Sequence, residues 1–165
     1  MKTLFILSFI LLSLSLYAQE IDEVRVYKSK HKMDLLSSGN VVKSYRVMLG
    51  RGGKGPKRKQ GDNLVPEGHY TLDYKNPKSQ FYKSIHVSYP NQDDIQRAHE
   101  AGTEPGGDIM IHGYPNNPKP FFKFLQKIGL IKRTNWTAGC MAVDDQEMDE
   151  IFKNIEVPIP ITIFH

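Results

Sequence analysis

One cysteine, Cys140, stands in a chain of 165 residues, and that count constrains the fold more than any other feature. A lone thiol closes no intramolecular disulfide and builds no cysteine-rich zinc site. The chain must therefore be held by a hydrophobic core of its own. Its length is one domain's worth, enough to bury such a core and too short for two ordinary domains. With 39% hydrophobic and 24% charged residues, the composition is that of a globular protein and excludes disorder and multi-span membrane topologies. The net charge of +4 suits anionic surroundings, whether nucleic acid, lipid or an acidic polymer, and by itself selects none of them.

The compartment is legible at the N-terminus. Met1, Lys2 and Thr3 precede an apolar run to Leu16, then Tyr17, Ala18 and Gln19, before Glu20, Asp22 and Glu23. A positive start, a short apolar stretch and a small residue before a polar switch are the parts of a secretory signal peptide. The run is short for a spanning helix, so residues 1–19 are expected to be a cleaved leader and residues 20–165 the mature domain, exported and not inserted in a membrane. The mature chain keeps 21 bases against 18 acids, a net +3. A single thiol is unusual in an exported protein, because oxidising compartments favour paired cysteines. That oddity raises the prospect that Cys140 is kept for reactivity.

Hydrophobic periodicity over the mature chain is mostly that of strands. Alternating runs fall near Val24 to Tyr27, Met33 to Leu36 and Val41 to Leu49, with Ser38-Gly39-Asn40 as a hairpin turn. His69 to Tyr74, Lys83 to Tyr89, Ile109 to Ile111 and Ile159 to Phe164 add four more. Between Arg51 and Gly68 glycine, proline and base are dense and no period survives, which reads as a solvated loop. Three short helices are expected. One spans Asn91 to Ala101 with Ile95 and Ala98 on one face. A second carries a stripe of Phe121, Phe122, Leu125 and Ile128, stopped by Gly129. The third spans Asp145 to Asn154, capped by Asp144 or Asp145. The expected fold is mainly β with short helices, an α+β domain. Nothing in the sequence fixes an oligomeric state.

Cys140 lies in Thr137-Ala138-Gly139-Cys140-Met141. The small residues before it leave the thiol approachable, and the backbone N–H groups around it, at Gly139 and Met141, are suited to an oxyanion formed when the thiolate attacks a carbonyl. A thiol of ordinary pKa needs a base to act so; a buried structural cysteine is the alternative. Six histidines compete for the role of base. His31, His99 and His165 sit in a turn, an exposed helix and the terminus, and His69 and His86 sit within strands. His112 ends a short apolar strand and is followed by Gly113, which puts an imidazole at a strand end with room for close backbone approach. His112 ranks ahead of His86.

Other patterns fail. Gly50 to Gly55 matches the start of a phosphate-binding loop, but Pro56 stands where its lysine is required. Asn135-Trp136-Thr137 is formally a glycosylation sequon, three residues from the candidate nucleophile. The histidines show no metal-ligand spacing, and no cofactor is implied. Arg51, Lys54, Lys57, Arg58 and Lys59 form a basic cluster, yet an exported protein seldom meets nucleic acid, so a solvated loop or attraction to an anionic polymer is the better reading.

The segments GPKRKQGDNLVPEGHY, SIHVSYP, GGDIMIHGYP and WTAGCMAV together resemble the L,D-transpeptidase (YkuD) family, in its YafK-like branch, over about Ile21 to Ile163. The resemblance implies a YkuD-like β-sandwich or barrel in which a histidine and a cysteine face each other across a cleft, with peptidoglycan stem peptides as substrate and the bacterial periplasm or cell envelope as workplace. By position, the family's His-Gly pair falls on His112 and Gly113, and its Ser/Thr-His-Gly-Cys motif falls on Thr137, Ala138, Gly139 and Cys140. Cys140 would then be the nucleophile and His112 the proton donor and acceptor, with the Gly113 carbonyl orienting the imidazole. Tyr89, Tyr114, Trp136 and Thr137 are candidate walls for the stem peptide. Two departures stand out: Ala138 replaces the motif histidine, and no asparagine or arginine follows the cysteine at Val143 or Asp144. The stretch between His112 and Cys140 is also longer than usual and carries the Phe-rich helix. The implied activity is acyl transfer through a thioester. Hydrolysis of wall-protein or peptide cross-links is the alternative within the family, and a non-catalytic wall-binding module the alternative outside it.

Overall fold

The computed structural model describes residues 20–165. The leader expected over residues 1–19 lies outside the described residues. The strands are β1 (Glu23–Tyr27), β2 (Lys32–Ser37), β3 (Asn40–Arg46), β4 (Gly68–Asn76), β5 (Ser84–Val87), β6 (Met110–His112), β7 (Met141–Ala142) and β8 (Ile159–Phe164). The helices are α1 (Gln92–Glu100), α2 (Pro120–Lys127) and α3 (Asp145–Asn154). All eight strands form one sheet in the order β3-β2-β1-β8-β4-β5-β6-β7, so the mainly β, α+β expectation holds.

The sheet curls until its two ends meet. Beyond β3, the Met48 amide donates to the Ala142 carbonyl and the Ala142 amide to the Met48 carbonyl, both at 2.8 Å, which bridges the chain leaving the first strand to the last strand in the order. Mutual pairing of this kind covers edges that would otherwise present unpaired backbone. Strand alternation supplies the core: Val24 and Val26 of β1, Ile161 and Ile163 of β8, Leu72 of β4 and Ile111 of β6 are all buried. α3 closes one side, with Met148 and Ile151 fully buried. Its N-terminus carries a reciprocal cap between Asp144 and Glu147, which satisfies two otherwise orphaned amides.

Three segments depart from the sequence expectation. On α1, Asp94 and Ala98 are the buried residues and Ile95 is exposed. Asp94 turns inward because its carboxylate accepts the Tyr70 hydroxyl at 3.0 Å and the Asn91 amide at 3.1 Å. On α2, only Phe122 and Leu125 pack inward, against a satellite cluster of Met48, Tyr114, Ile131 and Ala142, while Phe121 and Ile128 face solvent.

The third concerns the segment read as a solvated loop, which is tightly built. Lys57 is buried and its ammonium reaches the Asp62 carboxylate at 2.9 Å and the Lys59 carbonyl at 3.1 Å. Asp62 also accepts the amides of Arg58, Lys59 and Leu64. Burial pushes the Asp62 carboxyl up, but these donors outweigh it and hold it at about 2. Lys28, at the end of β1, is buried too and donates to the Gly55 and Val65 carbonyls and to Glu67. Side chains thus supply the order that hydrophobic periodicity does not.

Candidate active site

The site forms where the 51–67 loop, the end of β6 and the turn before β7 converge. β6 and β7 run parallel, with Ile111 opposite Met141 and His112 opposite Ala142, and the Val143 amide donates to the His112 carbonyl at 3.0 Å. This pairing carries the segment containing Cys140 alongside the strand that ends in His112.

His112 is 3% exposed, an unusual burial for an ionisable ring. Phe81 covers it at 4.5 Å between ring centroids and Trp136 meets it edge-on at 5.7 Å. Its Nδ1 lies 2.7 Å from the Gly113 carbonyl oxygen, which assigns the proton to Nδ1 and leaves Nε2 as the acceptor. No buried side-chain nitrogen or oxygen lacks a partner among the described residues, so Nε2, which has no protein partner, reaches the cleft. Burial pushes the His112 pKa down to about 4, against the opposing pull of the Gly113 carbonyl. The ring is neutral at neutral pH.

Gly113 is required by packing. A Cβ there would stand 2.6 Å from Asp145 Oδ1, the oxygen that accepts the Tyr114 amide at 2.8 Å. Gly139, in the turn before the thiol, has φ of +126°, and a Cβ on it would meet the Leu64 carbonyl oxygen at 2.9 Å. The ordered loop therefore presses directly on the Cys140 turn. Thr137 secures that turn from within: its hydroxyl donates to the Cys140 carbonyl at 2.6 Å and accepts the Gly139 amide at 3.3 Å.

The Cys140 sulfur is half-buried and sits 3.5 Å from the Asp108 carbonyl oxygen. Burial pushes the thiol above its ordinary pKa; the Met110 amide opposes the rise, Asp108 adds to it and Lys57 opposes it. Burial thus favours the protonated thiol and the neutral imidazole over a preformed ion pair. Two cavities meet at Cys140, His112 and Phe81. One, of about 340 Å³, is lined further by Asn76, Ser79, Gln80, Ser84, Asp108 and Met110. The other, of about 330 Å³, is lined by Arg51, Pro115, Trp136, Thr137 and Ala138.

Of the residues expected from the sequence, Cys140, His112, Gly113, Gly139, Trp136 and Thr137 come together here. Tyr89 does not: it is buried in the main core, its hydroxyl bound to the Pro105 carbonyl at 2.9 Å. Tyr114 is likewise turned into the satellite core, edge-on to Phe122 at 5.8 Å. Neither lines the cleft, because each ring fills space behind it. Met141 is fully buried in β7, so its part is to fix the strand. His86 is held by Asp73 at 2.7 Å and stacks on Tyr74, which takes it out of competition with His112. Sequence reasoning missed Phe81 along with Asp108 and the residues of the 76–84 turn that line the cleft, since the place of Phe81 over His112 depends on the turn between β4 and β5, which no periodicity marks. No cluster of potential metal ligands occurs among the described residues.

Solved L,D-transpeptidase structures have this curled sheet with short helices. The L,D-transpeptidase from Mycobacterium smegmatis matches with a TM-score of 0.54 and 13% identity over 87% of this chain and 58% of that one. The helical cell shape determining protein Pgp2 from Campylobacter jejuni matches with a TM-score of 0.61 and 21% identity, over 87% of this chain and 47% of that one. The chain belongs to the YkuD family, the L,D-transpeptidase catalytic domain, whose profile matches residues 21–163. The protein named "Putative L,D-transpeptidase YafK" from Escherichia coli strain K12 is 32% identical over 136 residues, 79% of this chain and 45% of that protein. The chain thus spans about half the length of the curated relatives it matches.

Proposed function

We propose that this protein is an exported peptidoglycan L,D-transpeptidase in which Cys140 is the nucleophile and His112 its base. The observation that carries the reading is the placement of a half-buried thiol and a buried imidazole, its Nδ1 on the Gly113 carbonyl, at the junction of two cavities. As Cys140 Sγ attacks the carbonyl of the third stem residue, Nε2 of His112 takes the thiol proton. The Gly113 carbonyl stabilises the imidazolium as it forms. Amides of the Gly139–Cys140 turn serve the oxyanion, the long bond from Gly139 to Thr137 Oγ1 being readily exchanged for it. Collapse breaks the amide bond, His112 returns the proton to the departing D-alanine, and a thioester on Cys140 remains. An amine entering through the second cavity resolves the thioester and restores the thiol. Trp136 and Phe81 wall the cleft, and Arg51 offers a charge to a stem carboxylate. The leader read in residues 1–19 supports export to the bacterial envelope.

Hydrolysis is the second reading, and Ala138 favours it. This small, exposed residue beside the thiol leaves space for water. Incubating the purified protein with tetrapeptide stems, with and without amine acceptors, separates the two by product mass. Cross-linked or exchanged stems mark transfer, tripeptide alone marks hydrolysis, and wild-type D-alanine release by Cys140→Ala contradicts both.

A further inference from the structure

The helix between His112 and Cys140 has more apolar surface than the fold uses. Phe122 and Leu125 of α2 point into the satellite core, whereas Phe121 is 71% exposed and Phe124 54%, with Ile128 and Leu130 also in solvent. At 3.6 residues per turn, Phe121, Phe124 and Ile128 fall on one flank of the outward face. Lys119, Lys123 and Lys127, spaced four apart, fall on the other. Single exposed apolar residues are ordinary, but four within ten residues, three of them on one flank of the helix, mark an interaction surface.

Charge selects the occupant. From Gly113 to Val143 the sequence contains five lysines or arginines and no aspartate or glutamate. Lys132 is neutralised by Asp144 and Glu147, but Lys119, Lys123 and Lys127 form no ion pair among the described residues. A second copy would set these like charges against one another. An anionic bilayer surface accepts aromatic side chains at the headgroup boundary and lysines among the headgroups, which is how basic amphipathic helices lie in an interface. We infer that α2 docks the protein peripherally on an anionic phospholipid surface, through Phe121, Phe124, Ile128 and Leu130 with the adjacent lysines. Among the described residues no helix is long and apolar enough to span a bilayer, so the contact is adsorption to one leaflet. Phe122 stacks edge-on against Trp136 at 4.9 Å, which sets the docked face beside the wall of the cleft.

The test is co-sedimentation with vesicles of phosphatidylcholine alone and vesicles one-third phosphatidylglycerol, at about 0.05 M and about 0.5 M salt. The protein used starts at Glu20, because this portion contains every strand and helix described and the apolar leader would itself bind lipid. Partitioning to the anionic vesicles at low salt is expected to exceed that to neutral ones by about tenfold or more. It should fall by about tenfold in the double variant Phe121→Ser, Phe124→Ser and by a similar factor in the triple variant Lys119→Gln, Lys123→Gln, Lys127→Gln. The pair Val41→Ser, Val42→Ser removes exposed apolar residues of β3 and should leave binding unchanged. Equal binding to both vesicle types, no binding, or binding indifferent to the phenylalanine changes would overturn the inference. So would a dimer in lipid-free solution that the phenylalanine variant disperses, or loss of turnover by that variant on soluble muropeptides without vesicles. The first result gives the face to a second copy and the second gives it to substrate.

Discussion

At the scale of single residues, two ionisable groups of the site, Cys140 and His112, are driven toward their neutral forms by burial. Because the Cys140 thiol lies above its ordinary pKa and His112 lies at about 4, alkylation of Cys140 by iodoacetamide should rise in one alkaline step; a reactive plateau reaching down to pH 5 would reveal a preformed ion pair. His112 also ties stability to pH. Its folded pKa lies below the ordinary 6.5, so its contribution is complete above pH 6.5 and is lost as pH falls toward 4, amounting to about 3 kcal/mol. Urea denaturation across that window should show the loss in the wild type and a flattened slope in His112→Gln. Thr137→Val, which removes the hydroxyl holding the Cys140 carbonyl, should lower kcat about tenfold with the fold intact, as expected for one hydrogen bond that positions a reacting group. Cys140 and His112 could be singled out in the sequence because the expected leader made a lone thiol odd and because His112 stood at a strand end beside glycine; the structure lines one cleft with both. Phe81 and the true positions of Tyr89 and Tyr114 were not, since residue type reveals an aromatic ring but tertiary packing decides which side of the cleft it fills.

At the scale of elements, the 51–67 loop and the Cys140 turn behave as one unit. A Cβ at Gly50 would stand 2.0 Å from the Asn63 carbonyl oxygen, so Gly50→Ala forces the loop off the sheet. Gly139→Ala combines a contact at 2.9 Å with Leu64 and a φ of +126°. Each should cost about 2 kcal/mol or more, read as a lowered denaturation midpoint, and Gly139→Ala should lose activity even where it stays folded. Asp62→Asn should remove the buried pair with Lys57 and with it stability of about 2 kcal/mol at neutral pH. In the wild type that contribution is present above pH 3.8 and is lost as pH falls toward 2, a window separate from that of His112. Periodicity located most strands and all three helices, because alternation and helical stripes record burial directly. It misread the loop, whose order comes from Lys28, Lys57 and Asp62, and it misassigned the faces of α1 and α2. A buried aspartate and a surplus of apolar residues break the assumption that every stripe faces inward.

At the scale of the molecule, the curled sheet does one thing for function: it brings together segments far apart in sequence. The bridge from Met48 to Ala142 and the parallel pairing of β6 with β7 place the basic loop, His112 and Cys140 around one cleft. The mainly β fold was legible from strand count and short helices, whereas closure through a two-residue strand was not, because so short a run carries no periodic signal. The net positive charge, undecided in the composition, now has a place in the α2 lysines and Arg51 beside the cleft. The central claim is that Cys140 carries the stem peptide as a thioester with His112 as its base. Acid-quenched intact-protein mass spectrometry after mixing with tetrapeptide stems tests it most directly. The wild type should gain the mass of the tetrapeptide stem less that of free D-alanine, with little adduct in His112→Gln and none in Cys140→Ala. An adduct that persists in Cys140→Ala, or turnover of the stem with no wild-type adduct at any quench time, would contradict it.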